Sequence, residues 1–590
     1  MKRLVLFIVF MSGLQSLNAA NVKYKISFPE AQAHYVNVEM ELSGFKEKEL
    51  KLQLPVWTPG SYLIREFARH VESVKATDGT TNLNIGKINK NTWLVQNNPN
   101  GSIKISYQVY AFELTVRTSF IDDSHAAIMP SNIFFYVDGY MNLKSELMIE
   151  PRANWKKISC GLPKIKGNPW HLQAENYDVL ADSPIEIGNQ DIIEFEAQGI
   201  KHSVAMVGPG SYDAEKIKKD FIKIIDESSS IFGTNPVKDY TFIIHNVNSG
   251  GGGLEHLNST SLLVQRNAYS NENTYNSFLS LVAHEYFHLW NVKRLRPIVL
   301  GPFDYNQENY TKMLWVSEGF TAYYDNWIVR RAGFFTPEKY LDLLANDISN
   351  QTNLPGDKVQ PLSESSFDAW IKYYRRNENS NNSQVSYYDK GSLAALLINL
   401  MIIEHSKAQQ NLDDLMSYLY KEYYEKKNIG FTDLQFKQAA EKFTGRNLDK
   451  FYAEYIDGTA SINYENYLLI CGLKLSNLNA GKTDAYLGIN TSAQNGKVII
   501  TSVNKNGPAY TTGLNVNDEI IAINNYRVDD LTKAMVGRKV GDKLSVLINR
   551  DGILKTIDVS LINNPNVKYK IEKIEKMSAE QEAAYKKLMN

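Results

Sequence analysis

Ser280-Leu281-Val282-Ala283-His284-Glu285-Tyr286-Phe287-His288 is the stretch that says most about the fold and its chemistry. It places two histidines four residues apart, with a glutamate directly after the first. Residues i and i+4 lie on one face of an α-helix, so both imidazoles can reach one cation. Zinc accepts imidazole nitrogens, and Glu285 would lie beside a zinc-bound water as a candidate general base. The stretch therefore predicts a zinc site on a helix, rather than a helix that carries these residues by chance.

The third zinc ligand is expected further along the chain. Glu318 lies in the apolar stretch Trp315-Val316-Ser317-Glu318-Gly319, where an unpaired carboxylate would be costly to bury and coordination would remove that cost. The alternative is a glutamate on the surface or at a helix N-terminus. Asp304 and Glu308 are nearer to the histidines, but they lie in a loop-like stretch rich in tyrosine and asparagine. We predict that His284, His288 and Glu318 bind one Zn²⁺ per chain.

The composition is that of an ordinary globular protein with several domains: 590 residues, 43% of them hydrophobic and 22% charged. A net charge of -1 provides no electrostatic basis for capturing nucleic acid or an anionic membrane. The 2 cysteines, Cys160 and Cys471, are far apart and lack metal-ligand spacing. We expect incidental free thiols rather than a disulfide framework.

The first residues are typical of a targeting segment. Lys2 and Arg3 precede the mainly apolar stretch 4–14, and the segment ends in the small residues Ala19 and Ala20. The apolar stretch is too short and interrupted to span a bilayer, and no later segment is long and apolar enough. We expect a signal peptide over residues 1–20 and a periplasmic or secreted protein; the alternative is a buried N-terminal helix.

Residues 21–205 read as short strands with alternating or β-branched residues, separated by turn pairs such as Asn100-Gly101. This pattern predicts an N-terminal antiparallel β-sandwich. Trp57-Thr58-Pro59-Gly60-Ser61-Tyr62 is a Pro/Gly turn flanked by aromatic residues. We favour a structural corner there over a wall of the active site.

Helical spacing dominates residues 206–463, which are predicted to form an α+β or mostly helical catalytic domain. Within it, the glycine run Gly250-Gly251-Gly252-Gly253 leads into a strand. Short strands return over residues 464–565. Residues 566–590 form a tail, whose last helix has a possible capping box at Ser578 and Gln581.

Four motifs in order carry a family resemblance: Trp57-Thr58-Pro59-Gly60-Ser61-Tyr62, Gly252-Gly253-Leu254-Glu255, His284-Glu285-x-x-His288 with Trp315-Val316-Ser317-Glu318-Gly319, and Tyr388-Asp389-Lys390-Gly391. With a terminal module similar to a PDZ domain, the chain resembles the bacterial glycyl aminopeptidase family. These PDZ-containing zinc metallopeptidases are thermolysin-like gluzincins related to the alanyl aminopeptidases. The resemblance covers essentially the whole mature protein. It implies a β-sandwich, a thermolysin-like catalytic domain and a C-terminal, β-barrel-like PDZ domain.

The resemblance also implies roles for single residues. Glu285 would activate the water, and Tyr388, which spacing alone does not select from 35 tyrosines, would stabilise the oxyanion. Residues Gly252, Gly253, Leu254 and Glu255 would line the substrate, with Glu255 pairing the free α-amine, although a structural glutamate on an edge strand is the alternative. Leu254 and His256 replace the Met and Asn common in the alanyl branch.

The PDZ-like module would bind a peptide by strand addition at a loop formed by Tyr486, Leu487, Gly488 and Ile489, unless it is a purely structural appendage. The predicted function is a zinc-dependent aminopeptidase that releases small N-terminal residues, Gly or Ala, from peptides with free N-termini. A C-terminal peptide is the expected PDZ ligand. Two alternatives remain open: a zinc endopeptidase with PDZ-assisted substrate capture, and a non-catalytic PDZ peptide-binding protein.

Overall fold

The computed structural model describes residues 20–590, and these divide into two compact units. The first unit holds the described residues up to Thr58 together with Arg65–Gln190. The second holds Pro59–Ile64 and Asp191–Asn590. All of the predicted signal peptide except Ala20 lies outside the described residues.

The first unit consists mainly of β-strands. Its elements are β1 (Asn21–Ser27), β2 (Tyr35–Ser43), β3 (Glu49–Gln53), β4 (Val71–Thr77), β5 (Asn82–Leu83), β6 (Ile85–Lys87), β7 (Thr92–Gln96), β8 (Ser102–Tyr110), β9 (Phe112–Thr115), β10 (Thr118–Ile121), β11 (Ala126–Ile128), β12 (Tyr136–Val137), β13 (Ser145–Glu150), β14 (Lys157–Cys160), β15 (His171–Ala174), α1 (Tyr177–Ala181) and β16 (Ile185–Gly188).

These strands form a seven-stranded sheet in the order β15-β13-β1-β2-β8-β4-β5, a five-stranded sheet β14-β16-β11-β10-β9 and a four-stranded sheet β12-β3-β7-β6. Strand β8 shows why they pair: Ile103, Ile105, Tyr107 and Val109 alternate with more exposed residues and are buried. A period of two places apolar side chains on one face of a strand, so burying that face stabilises the sheet.

The larger part of the second unit combines helices with one sheet. Its elements are β17 (Asp191–Ala197), β18 (Ile200–Val207), α2 (Ala214–Phe232), β19 (Asp239–Val247), β20 (Gly252–Glu255), β21 (Ser259–Gln265), α3 (Glu272–Phe287), α4 (Phe320–Arg331), α5 (Pro337–Asn353), α6 (Leu362–Phe367), α7 (Ser380–Ser383), α8 (Asp389–His405), α9 (Leu412–Leu419), α10 (Asp433–Thr444), α11 (Asp449–Phe451) and α12 (Tyr464–Leu468).

The sheet of this part has the strand order β17-β18-β19-β21-β20, which leaves β20 at one edge. Helix α3 begins at the N-cap residue Asn271, whose side chain accepts a hydrogen bond from the backbone N–H of Thr274. Helix α8 is apolar around most of its circumference and is buried along nearly its whole length. It packs against α4 and α10, so the residue before it, Tyr388, is held by a rigid element.

The remaining elements follow this helical part along the chain. They are β22 (Leu473–Asn477), β23 (Ala485–Tyr486), β24 (Ile489–Gln494), β25 (Lys497–Val503), α13 (Pro508–Thr512), β26 (Glu519–Ile523), β27 (Tyr526–Arg527), α14 (Leu531–Met535), β28 (Lys543–Arg550), β29 (Ile553–Ser560), β30 (Ile562–Asn563), β31 (Tyr569–Lys573) and α15 (Ala579–Met589).

Strands β24-β25-β26-β28-β29 form an open sheet with β24 at one edge, around a core that includes Ile500, Leu544 and Ile548. The chain then returns: β31 pairs antiparallel with β22 and packs on α5, and α15 packs on α8. Cys160 and Cys471 are free thiols. Among the described residues, no helix has the length and apolar character needed to cross a membrane.

Candidate metal centre and substrate site

Two histidines of α3 face one glutamate. His284 Nε2 lies 3.7 Å from Glu318 Oε2, and His288 Nε2 lies 3.2 Å from the same oxygen. His288 and Glu318 are buried, and His284 is only slightly exposed. The helix places both imidazoles on one face, as the spacing of four residues predicts. The structure therefore brings the three predicted metal ligands together.

The second ring nitrogen of each histidine has its own acceptor. His288 Nδ1 lies 2.6 Å from the backbone oxygen of Asn291, and His284 Nδ1 lies 3.3 Å from Oδ2 of Asp325. A carbonyl or carboxylate oxygen accepts a hydrogen bond from Nδ1–H, which leaves the Nε2 lone pair free in the neutral imidazole. Both lone pairs then point towards the Glu318 carboxylate.

This donor set fits a tetrahedral cation such as zinc. Ligand atoms at about 2.0–2.1 Å from a tetrahedral zinc lie about 3.3 Å apart, close to the separations measured between the histidine nitrogens and Glu318. Glu318 Oε1 is buried and has no hydrogen-bond partner among the described residues. A buried carboxylate oxygen without a partner is unfavourable, and a cation would compensate it.

The electrostatics show that Glu318 favours positive charge beside it. Burial opposes ionisation of Glu318, but the positive charges of protonated His288 and His284 outweigh it and lower the pKa of the carboxyl group. Burial likewise opposes protonation of His284, and the carboxylates of Asp325 and Glu318 overcome it and raise the pKa of the imidazole. The carboxylate of Glu318 therefore stays ionised when a positively charged group lies beside it.

Glycines bring the segment that carries Glu318 next to α8. Glu318 lies in the π-helical turn Trp315–Gly319, directly before α4. A β-carbon at Gly391 would lie 2.8 Å from the backbone oxygen of Trp315 and 2.9 Å from the Cα of Gly319. Only glycine permits so close an approach. The two motifs that contain Glu318 and Tyr388 therefore meet backbone to backbone.

Asn291 connects the histidine segment to the Glu318 segment. Its side-chain Nδ2 donates to the backbone oxygens of Val316 (3.0 Å) and Ser317 (3.1 Å), while its own backbone oxygen accepts from His288. All three contacts are buried, where a hydrogen bond left unmade is costly. One residue therefore orients a predicted ligand and holds together the two segments that carry the predicted ligands.

Glu285 projects from α3 towards strand β20. Its carboxylate is buried, Oε2 has no hydrogen-bond partner among the described residues, and burial raises its pKa to about 7. A β-carbon at Gly253 would collide with this carboxylate. The glycine run in β20 thus lets the strand backbone approach the predicted base.

Glu255 ends the same strand. It is buried, Oε1 has no partner among the described residues, and its carboxylate lies within 4.8 Å of ligand atoms of both Glu285 and His288. Among the described residues, β20 pairs with β21 alone, so it is an edge strand to which an extended peptide could add. A peptide added antiparallel to β20 would have its N-terminus at the Glu255 end of the strand.

Tyr388 is the N-cap residue of α8, and its ring centroid lies 6.2 Å from that of His284. Burial and then the charge on Glu318 raise the pKa of its phenol well above the usual 10. The hydroxyl therefore stays protonated and able to donate at neutral pH. The structure thus places Tyr388 beside the predicted metal ligand His284.

The predicted PDZ loop leads into the edge strand β24. Tyr486 ends β23, Leu487 and Gly488 follow, and Ile489 begins β24. Gly488 has a positive φ of 81°, a conformation that favours glycine, and its carbonyl accepts from the N–H of Asn504 at 2.8 Å. The loop is therefore a tight turn at the entrance of an edge strand.

Sequence reasoning did not assign roles to Asp325 or Asn291. A signal existed for Asp325, because it follows Glu318 by seven residues, about two helical turns, and so shares its face. Asn291 is only three residues beyond His288, but nothing in the spacing indicates that its side chain reaches Val316 and Ser317.

Comparison with known families gives three matches along the chain. The Peptidase M61 N-terminal domain matches residues 23–189, the M61 glycyl aminopeptidase family matches residues 277–394, and a PDZ domain matches residues 485–561. No curated protein matches the chain. The three matches confirm the predicted fold class, with the qualification that the PDZ sheet is open rather than a closed barrel.

Solved structures include a full-length relative. An aminopeptidase N family protein from Idiomarina loihiensis is 30% identical, covers 96% of this chain and 100% of its own, and superposes with a TM-score of 0.90. An M1 zinc metallopeptidase from Deinococcus radiodurans is 12% identical over 75% of this chain and 94% of its own, with a TM-score of 0.47. Yeast LTA4 hydrolase in complex with bestatin is 14% identical over 76% of this chain and 67% of its own, with a TM-score of 0.43.

The last two similarities are too low to add to the assignment. The full-length relative and the ordered family matches agree with each other and with the motifs around the site. The chain belongs to the M61 glycyl aminopeptidase family and is a peptidase.

Proposed function

We propose that this peptidase is a zinc-dependent aminopeptidase that removes glycine or alanine from peptides with a free N-terminus. The observation that carries the proposal is the pair of carboxylates buried beside His288. Glu285 lies next to the predicted metal ligand His288, and Glu255 lies at the end of the edge strand β20. A buried carboxylate facing an ammonium selects chain ends over internal residues.

His284, His288 and Glu318 would hold the zinc. When bound, zinc supplies an acidified water and polarises the peptide carbonyl. Glu285 accepts the proton of the attacking water and passes it to the leaving amine. Tyr388 donates a hydrogen bond from its phenolic O–H to the developing oxyanion. Strand β20 aligns the substrate backbone, and Glu255 binds the α-ammonium.

A comparison of glycyl peptides with free and N-acetylated amines tests the proposal. We expect cleavage of the free-amine peptide only, loss of activity with a chelator, and recovery on adding zinc. Cleavage of the acetylated peptide would favour the endopeptidase alternative, and activity that resists the chelator after metal removal has been verified would contradict zinc.

Glu285→Gln separates the base from the metal site. The substitution preserves size but removes the proton acceptor, so we expect turnover to fall by about 10²–10⁴-fold while zinc content stays at the wild-type level. Metal content by elemental analysis and kcat on the free-amine peptide measure both effects. Wild-type turnover in Glu285→Gln would show that another group takes the proton.

We also propose roles for the PDZ domain and for the N-terminal segment. The edge strand β24, entered from Tyr486–Ile489, would accept the C-terminus of a peptide by strand addition. Residues 1–20 would direct the protein to the periplasm or the exterior. Titration with a peptide and its C-terminal amide tests the first point, and N-terminal sequencing of the exported protein tests the second.

A further inference from the structure

The short loop Pro59–Ile64 belongs to the second unit, although the chain on both sides of it belongs to the first. Inside the second unit, the Tyr62 ring meets Trp370 edge-on at 5.6 Å between centroids and Tyr374 at 6.3 Å. The Tyr374 hydroxyl also donates to the backbone oxygen of Gly60 at 3.3 Å. Ser61 and Tyr62 are buried. The loop is therefore held in a defined position by residues 370–374.

Gly60 is pressed against the carboxylate of Glu255. A β-carbon at Gly60 would lie 2.6 Å and 2.7 Å from the two carboxylate oxygens and 2.7 Å from Cδ1 of Leu254. Since a Cα–Cβ bond is about 1.5 Å long, the Cα of Gly60 lies within about 4.3 Å of both oxygens. Its φ of +82° is a second reason for glycine, because other residues rarely adopt it. No larger residue fits without moving Glu255.

The contacts of Gly60 with Glu255 and Leu254 bring the motif that contains the loop next to one of the carboxylates of the site. From the sequence alone, a structural corner is the favoured interpretation of this motif. The contacts of the loop are explained better by a wall of the site.

We propose that the loop Pro59–Ile64 forms the wall of the subsite for the N-terminal residue, and that Gly60 is a specificity-determining residue within it. The inference rests on the proposed aminopeptidase function. When the ammonium nitrogen of the substrate lies about 2.8 Å from a carboxylate oxygen of Glu255, the substrate Cα is bonded to that nitrogen at about 1.5 Å. Its side chain then competes for the space bounded by Gly60 and Leu254. A hydrogen or a methyl group fits there, and a larger side chain meets the loop.

Gly60→Ala tests the wall directly. The added methyl group displaces the Glu255 carboxylate, so we expect kcat/KM for a glycyl peptide to fall by about tenfold or more, mainly through KM. The alanyl-to-glycyl ratio should fall as well, because the methyl group occupies substrate space. Gly513→Ala is the matched control: its φ is +88°, and no described atom lies within 4 Å of its β-carbon. It should keep the wild-type kinetics.

Leu254→Ala tests the same wall in the opposite direction and does not depend on the Gly60 variant folding. Shortening this side chain should raise the ratio of leucyl to glycyl cleavage by about tenfold or more. Zinc content and the unfolding temperature of every variant are measured in parallel. Wild-type substrate ratios in folded Gly60→Ala, or in Leu254→Ala, would overturn the inference. Cleavage of N-acetylated peptides by the wild-type protein would instead overturn the proposed function.

Discussion

At the scale of single residues, the partners of the two histidines orient the predicted metal ligands. Asp325 and the backbone oxygen of Asn291 each face the Nδ1 of one histidine, so the Nε2 atoms are turned towards Glu318. Partners of this kind fix the tautomer and the ring orientation, and they increase the basicity of the ligand. The three predicted ligands thus depend on two residues that carry no metal-binding signature of their own.

Asp325→Asn is expected to weaken zinc binding by about 10–100-fold, because the carboxylate that orients His284 is lost while the size is kept. Competition with a chromogenic chelator measures the affinity. Asp342→Asn, at an exposed position of α5, is the control and should bind zinc as the wild-type protein does. Equal affinity in Asp325→Asn and the wild-type protein would show that Asp325 does not support the ligand.

His202 makes the second unit sensitive to acid. Its Nδ1 lies 3.0 Å from the backbone oxygen of Ile200 and its Nε2 lies 3.1 Å from the hydroxyl of Tyr286 in α3, and burial lowers its pKa to about 4. Between about pH 6.5 and 4 the unfolded chain binds this proton and the folded chain does not, so stability falls as the pH falls. The limiting loss is about 3 kcal/mol.

Calorimetry between pH 7 and 4.5 checks this effect. His202→Gln should show a smaller decrease of unfolding temperature with acidification than the wild-type protein does, because it has no proton to gain. His171→Gln serves as a control in the first unit, where the histidine is partly exposed. An identical decrease in His202→Gln and the wild-type protein would assign the acid sensitivity to other groups.

At the scale of elements, a contact between two glycines joins the turn Trp315–Gly319 to α8. The sequence places Glu318 and Tyr388 in separate helical patterns, and both patterns are present as helical segments in the structure. Their separation in space depends on Gly319 and Gly391, where the backbones touch. Helical periodicity does not encode such a contact, since it concerns which face is apolar and not how close two backbones come.

Gly391→Ala should therefore damage the site although alanine is the better helix former. The methyl group would press on Trp315 and Gly319, an overpacking that costs about 1–3 kcal/mol and moves Glu318 relative to Tyr388. We expect a lower unfolding temperature and weaker zinc binding. Gly86→Ala, at a position where no described atom lies within 4 Å of the β-carbon, should leave both unchanged. Unchanged zinc affinity in Gly391→Ala would show that the contact does not position the ligand.

At the scale of the whole molecule, the end of the chain returns to the catalytic part of the second unit. Strand β31 pairs with β22, and α15 buries Leu588 and Met589. The indole N–H of Trp327 in α4 donates to the backbone oxygen of Leu588 at 2.8 Å. The PDZ sheet is therefore connected at both ends to elements that pack on the catalytic helices.

Leu588→Ala is expected to destabilise the catalytic part by about 2–5 kcal/mol, because it leaves a cavity in a buried contact. The exposed Lys586→Ala on the same helix should change stability by no more than about 0.5 kcal/mol. Thermal unfolding followed together with zinc release measures the effect. Equal stability of the two variants would show that α15 does not contribute to the stability of the catalytic part.

The amino-acid sequence by itself was enough to predict the order of domains, three residues able to bind a cation and a neighbouring base. These features depend on local periodicity and on residue chemistry: i and i+4 share a helix face wherever the helix forms. Only the tertiary structure decided that Asp325 and Asn291 orient the histidines. It also decided that Gly391 lies against Gly319 and that Gly60 lies against Glu255. Such contacts join residues far apart along the chain, so they depend on how the elements pack and leave little or no trace in the spacing of residues.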